Sequence, residues 1–160
     1  MVRIYTDGAC SGNPGRGGAG IVILDAQNSE EKLAKYFNIY FNDTTNQRME
    51  IYAAIAGLQE LNSNDLSGLD TSIIEIYSDS AYLCNAFNQN WIDNWQQNSW
   101  RNSKKQPVAN QDLWKLLLQT IELFDHSRIS FIKVKGHNGN KYNEMADKLA
   151  VAAIKGVGNK

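Results

Sequence analysis

Thr44-Thr45-Asn46-Gln47-Arg48-Met49-Glu50 marks the point where the chain changes its period. Before it, β-forming residues come in short runs separated by turn residues; after it, apolar residues recur on nearly every side of a helix. A capping box fits here, with Thr44 as N-cap and Gln47 at the third helical position, each satisfying a backbone N–H that a helix start leaves open. The spacing predicts a helix to about residue 61, and a helix apolar all round belongs inside the protein. Glu50 interrupts it on the face of Ala53, Ala54 and Gly57, small residues that let another element come close. A carboxylate on so apolar a helix needs a partner, because an unpaired buried charge is costly.

Upstream, Arg3-Ile4-Tyr5-Thr6 predicts a first strand, residues 8–18 a glycine-dense loop, 21–24 a second strand closed by a turn at 25–29, and 32–41 a third. Connections this short favour an antiparallel meander. Downstream come a strand over 72–77, a helix over 80–88 and a Trp-rich polar stretch. An amphipathic helix over 112–124 follows, then a strand over 129–134, a loop over 136–140, and a last helix from an Asn143 N-cap to about 154. This order predicts an α/β fold built on a mixed five-stranded sheet with helices packed against it. One domain over 1–155 with a frayed tail at 156–160 fits the length.

Of the 160 residues, 42% are hydrophobic and 21% charged, an ordinary soluble composition. No apolar run approaches the roughly 20 residues of a membrane helix, and the N-terminus turns polar too early for a secretory signal. Cys10 and Cys84 have neither metal-finger nor disulfide spacing. A cytoplasmic protein is expected. The net charge of −1 argues against gripping nucleic acid by bulk positive charge. Two routes around this remain: basic residues gathered on one face, or divalent cations that cancel both a carboxylate cluster and a phosphate.

Acids stand at four element ends. Asp7 closes the first strand and Asp79 the fourth, so parallel neighbouring strands would bring both to one sheet edge. Glu50 lies near the start of the buried helix, and Asp147 is expected in the first turn of the last one. Singly, each strand-end Asp reads as a turn former and Asp147 as a helix-dipole partner. Arg48 is near enough in sequence to Glu50 to pair with one acid, but it cannot neutralise all four. If the acids converge, hard divalent cations resolve their repulsion, and all-oxygen ligation selects Mg²⁺ or Mn²⁺. A pair of such ions about 4 Å apart is the arrangement used for in-line phosphodiester displacement.

Thr6-Asp7-Gly8-Ala9-Cys10, Gly12-Asn13-Pro14-Gly15 and Gly17-Gly18 resemble the opening motif of the bacterial-type (type 1) ribonuclease H family. The stretch 44–50 resembles its second motif, Ser78-Asp79-Ser80 its third, and Lys135-Gly136-His137-Asn138-Gly139 with Asn143, Glu144 and Asp147 its fourth. Trp91-Ile92-Asp93-Asn94-Trp95 through Trp100, Pro107 and Asp112-Leu113-Trp114 is similar to the family's helical handle. The resemblance covers residues 2–155. It implies a ribonuclease H-like fold, with three antiparallel strands, then parallel ones, flanking helices and a handle. It also implies an endonuclease cutting the RNA strand of an RNA–DNA hybrid to leave 3′-hydroxyl and 5′-phosphate ends. Asp7, Glu50, Asp79 and Asp147 would hold two Mg²⁺ ions (Mn²⁺ substituting), with Asp7 as the bridge; one ion would activate water and the other stabilise the leaving 3′ oxygen. His137 would assist proton transfer or product release. On its own, a loop histidine reads as a solvated surface residue.

The same resemblance places Cys10, Asn13, Asn46 and Gln47 at the minor groove, where amides suit 2′-hydroxyls and base edges. It places Thr45 and Asn110 at a DNA-strand phosphate, with Trp91 and the handle beyond. The tryptophans between Trp91 and Trp114 interleave with Arg101, Lys104 and Lys105, a pattern suited to a nucleic-acid groove; Trp114 itself reads as core. Two features depart from the family pattern: Ala81 replaces a longer side chain, and Gln96-Gln97-Asn98-Ser99 is neutral where relatives are often lysine-rich. The chain starts at the first strand, so no separate hybrid-binding domain is expected; a monomer is. The rival readings are a hybrid-binding module without catalysis and a DNA-directed nuclease or integrase of the same superfamily.

Overall fold

The computed structural model describes residues 1–135 and 139–158. Three long strands, β1 (Val2–Gly12), β2 (Gly15–Gln27) and β3 (Glu30–Thr44), lead into α1 (Asn46–Glu60). After a 3-10 turn at Asn64–Leu66 come β4 (Ile73–Ser78), α2 (Ala81–Asn88), α3 (Trp91–Gln97), α4 (Gln111–Glu122), β5 (Arg128–Lys133) and α5 (Lys141–Gly158). The sheet order is β3-β2-β1-β4-β5. β1, β2 and β3 pair antiparallel, and β4 joins β1, and β5 joins β4, in parallel. This is the mixed α/β sheet expected from the element order.

Several boundaries differ from the sequence reading, each for a local reason. The glycine-dense stretch is mostly strand: β1 runs on to Gly12 and β2 starts at Gly15, because glycine there permits close packing instead of a wide loop. The second turn shrinks to Asn28-Ser29, whose positive φ values of 50° and 68° match a tight hairpin twisted with its strands. The N-cap of α1 is Thr45, not Thr44: its hydroxyl accepts from the Arg48 N–H at 3.2 Å. Gln47 therefore falls at the second helical position and the capping box does not form. The Trp-rich stretch contains α3. The last helix starts at Lys141 rather than after Asn143, since the Asn140 side chain accepts from the Tyr142 and Asn143 N–H groups. It continues past 154 to Gly158, so the tail expected at 156–160 overlaps it or lies outside the described residues.

The two sheet faces carry different helices. Val2, Ile4, Ala19, Ile21, Ile23, Ile74 and Ile76 pack with Ile51, Ala54, Ile55 and Leu58 of α1, and this core extends through Trp114 and Leu117 of α4. Tyr5, Val22 and Leu24 point the other way and pack with Ala146 of α5. The alternation follows from the two-residue side-chain period of a strand. α1 is apolar enough all round to be clamped between the sheet and α4; α5 is amphipathic and lies on the opposite surface.

Two glycines set how close α5 comes. A Cβ on Gly18 would overlap the Ala150 carbonyl oxygen, and one on Gly20 the Ala146 carbonyl oxygen, so the helix backbone rests directly on β2. Gly20 pairs with Asp7 on β1, and Ala146 precedes Asp147. The same close approach that docks the helix thus carries Asp147 toward Asp7. Gly20→Ala is expected to destabilise the fold by about 3 kcal/mol through overpacking and to lower activity by displacing Asp147. Chemical denaturation and a turnover assay check both; unchanged stability would mean that α5 can move away freely.

Candidate active site

The β1–β4 ladder pairs Arg3 with Glu75, Ile4 with Ile76 and Tyr5 with Tyr77. Tyr5 and Tyr77 stack with ring centroids 4.6 Å apart on the α5 face. Two residues further along, the same alternation places Asp7 and Asp79 on that face; Asp79 directly follows the end of β4, whereas Asp7 stands within β1 just beyond its pairing with β4 and does not close the strand as the sequence suggests. Glu50 arrives from the first turns of α1. Gly8 makes room for it: a Cβ there would meet the Glu50 nitrogen at 2.6 Å. One carboxylate oxygen from each of Asp7, Glu50 and Asp79 lies within 4.8 Å of the others.

Asp147 lines the same cleft, of about 470 Å³, with Asn46, Gln47, Ser80, Ala81 and Tyr82. Asp147 contributes to raising the Asp7 pKa. It sits in the second turn of α5, not the first as expected, so the helix dipole gives no account of it. Arg48 does not pair with any of the four acids. It forms a bidentate ion pair with Asp112 instead, at 2.9 and 2.7 Å. Among the described residues, no lysine or arginine is ion-paired to the cluster.

This leaves the acids in an energetically poor state by themselves. Asp7 is 5% exposed, and burial together with Glu50, Asp79 and Asp147 pushes its pKa up to about 9. Glu50 is pushed up to about 8 by burial and Asp79, against a partial opposing effect of the Gly8 backbone N–H. Glu50 Oε2 is buried with no hydrogen-bond partner. Uncompensated carboxylates, all-oxygen donors and an orphaned buried oxygen together fit a hard divalent cation.

The other residues singled out from sequence fall in three groups. Asn46 and Gln47 are in the cleft. Asn13, at the tip of the β1–β2 hairpin, is tied to it because its side-chain oxygen accepts from the Asn46 N–H at 3.1 Å. Thr45 and Asn110 are linked through Arg48, whose backbone N–H donates to Thr45 Oγ1 and whose Nη1 faces Asn110 Oδ1 at 3.4 Å. Cys10 is apart from the acids: it donates to the Thr44 carbonyl and lines a separate groove with Ser11, Arg16 and Lys155. His137 lies outside the described residues.

In the handle, Trp95 sits 6.3 Å from Trp91, 6.2 Å from Trp100 and 5.6 Å from Trp114, and Trp114 is fully buried. The tryptophans therefore pack the handle first. Trp91 and Trp95 also border a groove of about 620 Å³ with Arg101 and Lys105. Sequence reasoning missed Tyr82, whose hydroxyl joins Asn110 to Trp114. Its neighbours in sequence give no hint of this, because the partners lie 28 and 32 residues away.

The RNase H family model matches residues 1–155. A ribonuclease H of Syntrophomonas wolfei is 49% identical over 157 residues, covering 98% of each chain. Among solved structures, LC9-RNase H1, described as a type 1 RNase H with the type 2 active-site motif, superposes with a TM-score of 0.79 at 26% identity, covering 97% of this chain and 72% of that one. LC11-RNase H1, solved in complex with an RNA/DNA hybrid, gives a TM-score of 0.71 at 23% identity, covering 98% and 99%.

Proposed function

The chain belongs to the ribonuclease H family and is a nuclease of that kind, and from this premise we propose that it cuts the RNA strand of RNA–DNA hybrids with two divalent cations held by Asp7, Glu50, Asp79 and Asp147. The observation that carries the metal reading is the convergence of Asp7, Glu50 and Asp79 within 4.8 Å with, among the described residues, no cationic side chain paired to them. Mg²⁺ fits the donor set best, and Mn²⁺ should substitute. The hybrid as substrate is supported by the structural likeness to LC11-RNase H1, which was solved with one.

When bound, such a pair of ions supplies Lewis acidity to water and to the leaving oxygen. The chain's own residues do the rest. Glu50, fixed on a buried helix, Asp7, fixed within β1, and Asp79, fixed at the end of β4, hold their oxygens in place before substrate arrives, so little reorganisation is needed. Asn46 and Gln47 present amides to the same cleft, able to donate to and accept from the 2′-hydroxyls that distinguish RNA. Asn13 steadies the first of them by accepting from its backbone. Thr45 and Asn110 would receive a DNA-strand phosphate, Trp91 would offer an aromatic face, Cys10 would flank the minor groove, and His137 would assist proton transfer. The products would carry 3′-hydroxyl and 5′-phosphate ends. A monomer in the cytoplasm is the working assembly proposed; among the described residues no helix is long and apolar enough to cross a membrane.

Cleavage of matched RNA–DNA, RNA–RNA and DNA–DNA duplexes with and without Mg²⁺ tests this reading. Only the hybrid should be cut, and only with metal. Hybrid binding without cutting would support a non-catalytic module, and efficient cutting of duplex DNA a DNA-directed nuclease. The neutral segment 96–99 adds a quantitative expectation. Each phosphate that the protein leaves unneutralised makes the slope of log affinity against log salt shallower by roughly 0.7–0.9. Binding should therefore be less salt-dependent than in a relative with lysines there; equal slopes would show that this part of the handle does not meet phosphate.

A further inference from the structure

Resting on that reading, we propose that the Tyr82 hydroxyl donates a hydrogen bond to a phosphate oxygen of the substrate's DNA strand. The case is a chain of forced hydrogen-bond directions. Arg48 has only donors. With Asp112 gripping its guanidinium at 2.9 and 2.7 Å, Nη1 also faces the Asn110 side chain at 3.4 Å, so the atom Asn110 presents there is its oxygen. Its Nδ2 is then turned to the Tyr82 hydroxyl, 3.1 Å away, and the phenol oxygen accepts. Trp114 Nε1, a donor only, approaches the same oxygen at 3.2 Å, and again the phenol accepts. Both acceptor directions of that oxygen are occupied. Its proton can only be donated, and among the described residues nothing receives it.

The donor is held firmly. The Tyr82 ring lies 5.3 Å from that of Trp114, which is fully buried, so the hydroxyl has little freedom to turn elsewhere. Tyr82 also lines the acidic cleft, with Asp79 and Ala81. Two N–H groups pointing at the oxygen polarise the O–H outward, which favours an anionic acceptor over a neutral base edge or ribose hydroxyl. The DNA strand is the expected owner because Thr45, Arg48, Asn110 and Tyr82 form one continuous hydrogen-bonded set, and Thr45 and Asn110 are the residues proposed for its phosphate.

The test pairs Tyr82→Phe with a scan of single methylphosphonates, which lack the phosphate charge, along the DNA strand of a short hybrid. Tyr82→Phe should raise KM about tenfold, the weight of one charge-assisted hydrogen bond, with kcat within about twofold. At one position the methylphosphonate should weaken binding by wild type but add nothing in the variant. A purely structural role for the hydroxyl would lower the melting temperature yet leave identical phosphate sensitivity in both proteins, and that result overturns the proposal. If Tyr82→Phe does not fold, O-methyltyrosine at this position keeps the ring and the acceptor oxygen, removes the donor, and is read in the same scan. Wild-type protein that cleaves no hybrid would instead refute the function on which the proposal rests.

Discussion

Asp7→Asn should lower hybrid cleavage by on the order of a thousandfold or more while making the metal-free protein more stable. Both follow from one property of the site. Asp7 is buried, and Glu50, Asp79 and Asp147 all disfavour its ionised form. The carboxylate is valuable only when a cation is there to meet it; without one, folding at neutral pH forces it to take up a proton that the unfolded chain does not hold. Asparagine keeps the shape and needs no such proton. A gain of roughly 1–3 kcal/mol is reasonable for relieving such a group, which for a chain of this size raises the melting temperature by several degrees. Calorimetry in chelator, beside a steady-state cleavage assay, measures both. Loss of activity with loss of stability would mean that Asp7 serves the fold, and the functional assignment would lose its main support.

The second large effect is a pH dependence that metal should abolish. The folded-state pKa values of Asp7 and Glu50 are raised to about 9 and about 8, from ordinary values of 3.8 and 4.5. Between those limits the folded protein binds more protons than the unfolded chain, so stability falls as pH rises. In chelator, the contribution of these two groups is fully present only below their ordinary values of 3.8 and 4.5 and is lost progressively up to about pH 9. Saturating Mg²⁺ binds the ionised carboxylates and should remove this decline, with the largest gain in melting temperature at the alkaline end. Thermal melts from about pH 5 to pH 9 with chelator or with Mg²⁺ test it. Parallel curves with and without the ion would show that the acids and the metal are not linked.

Much of this architecture is legible in the chain. Glu50 stands out because a carboxylate on an all-round apolar helix demands an explanation, and the structure places it beside Asp7 and Asp79. Element order predicts the mixed sheet because strands joined by short turns pair antiparallel, whereas β4 and β5 follow helices. The misreadings share a cause. Residues 8–18 read as loop for their glycines, but Gly18 is a strand position left bare so that the α5 backbone can lie on it. Arg48 has Glu50 as its sequence neighbour, while its partner, Asp112, lies on α4, 64 residues away. The apolar pattern puts Asp147 one turn too early, because the helix start depends on the Asn140 cap. Interactions made across the fold leave no trace in local spacing, and the Tyr82 network is of that kind.

The paired-cation site is the claim on which the rest depends. Anomalous scattering from a crystal soaked in Mn²⁺ addresses it without relying on turnover. Two peaks are expected, both coordinated by oxygens drawn from Asp7, Glu50, Asp79 and Asp147. No peak among these carboxylates at saturating Mn²⁺, or ions bound only elsewhere on the surface, would contradict it.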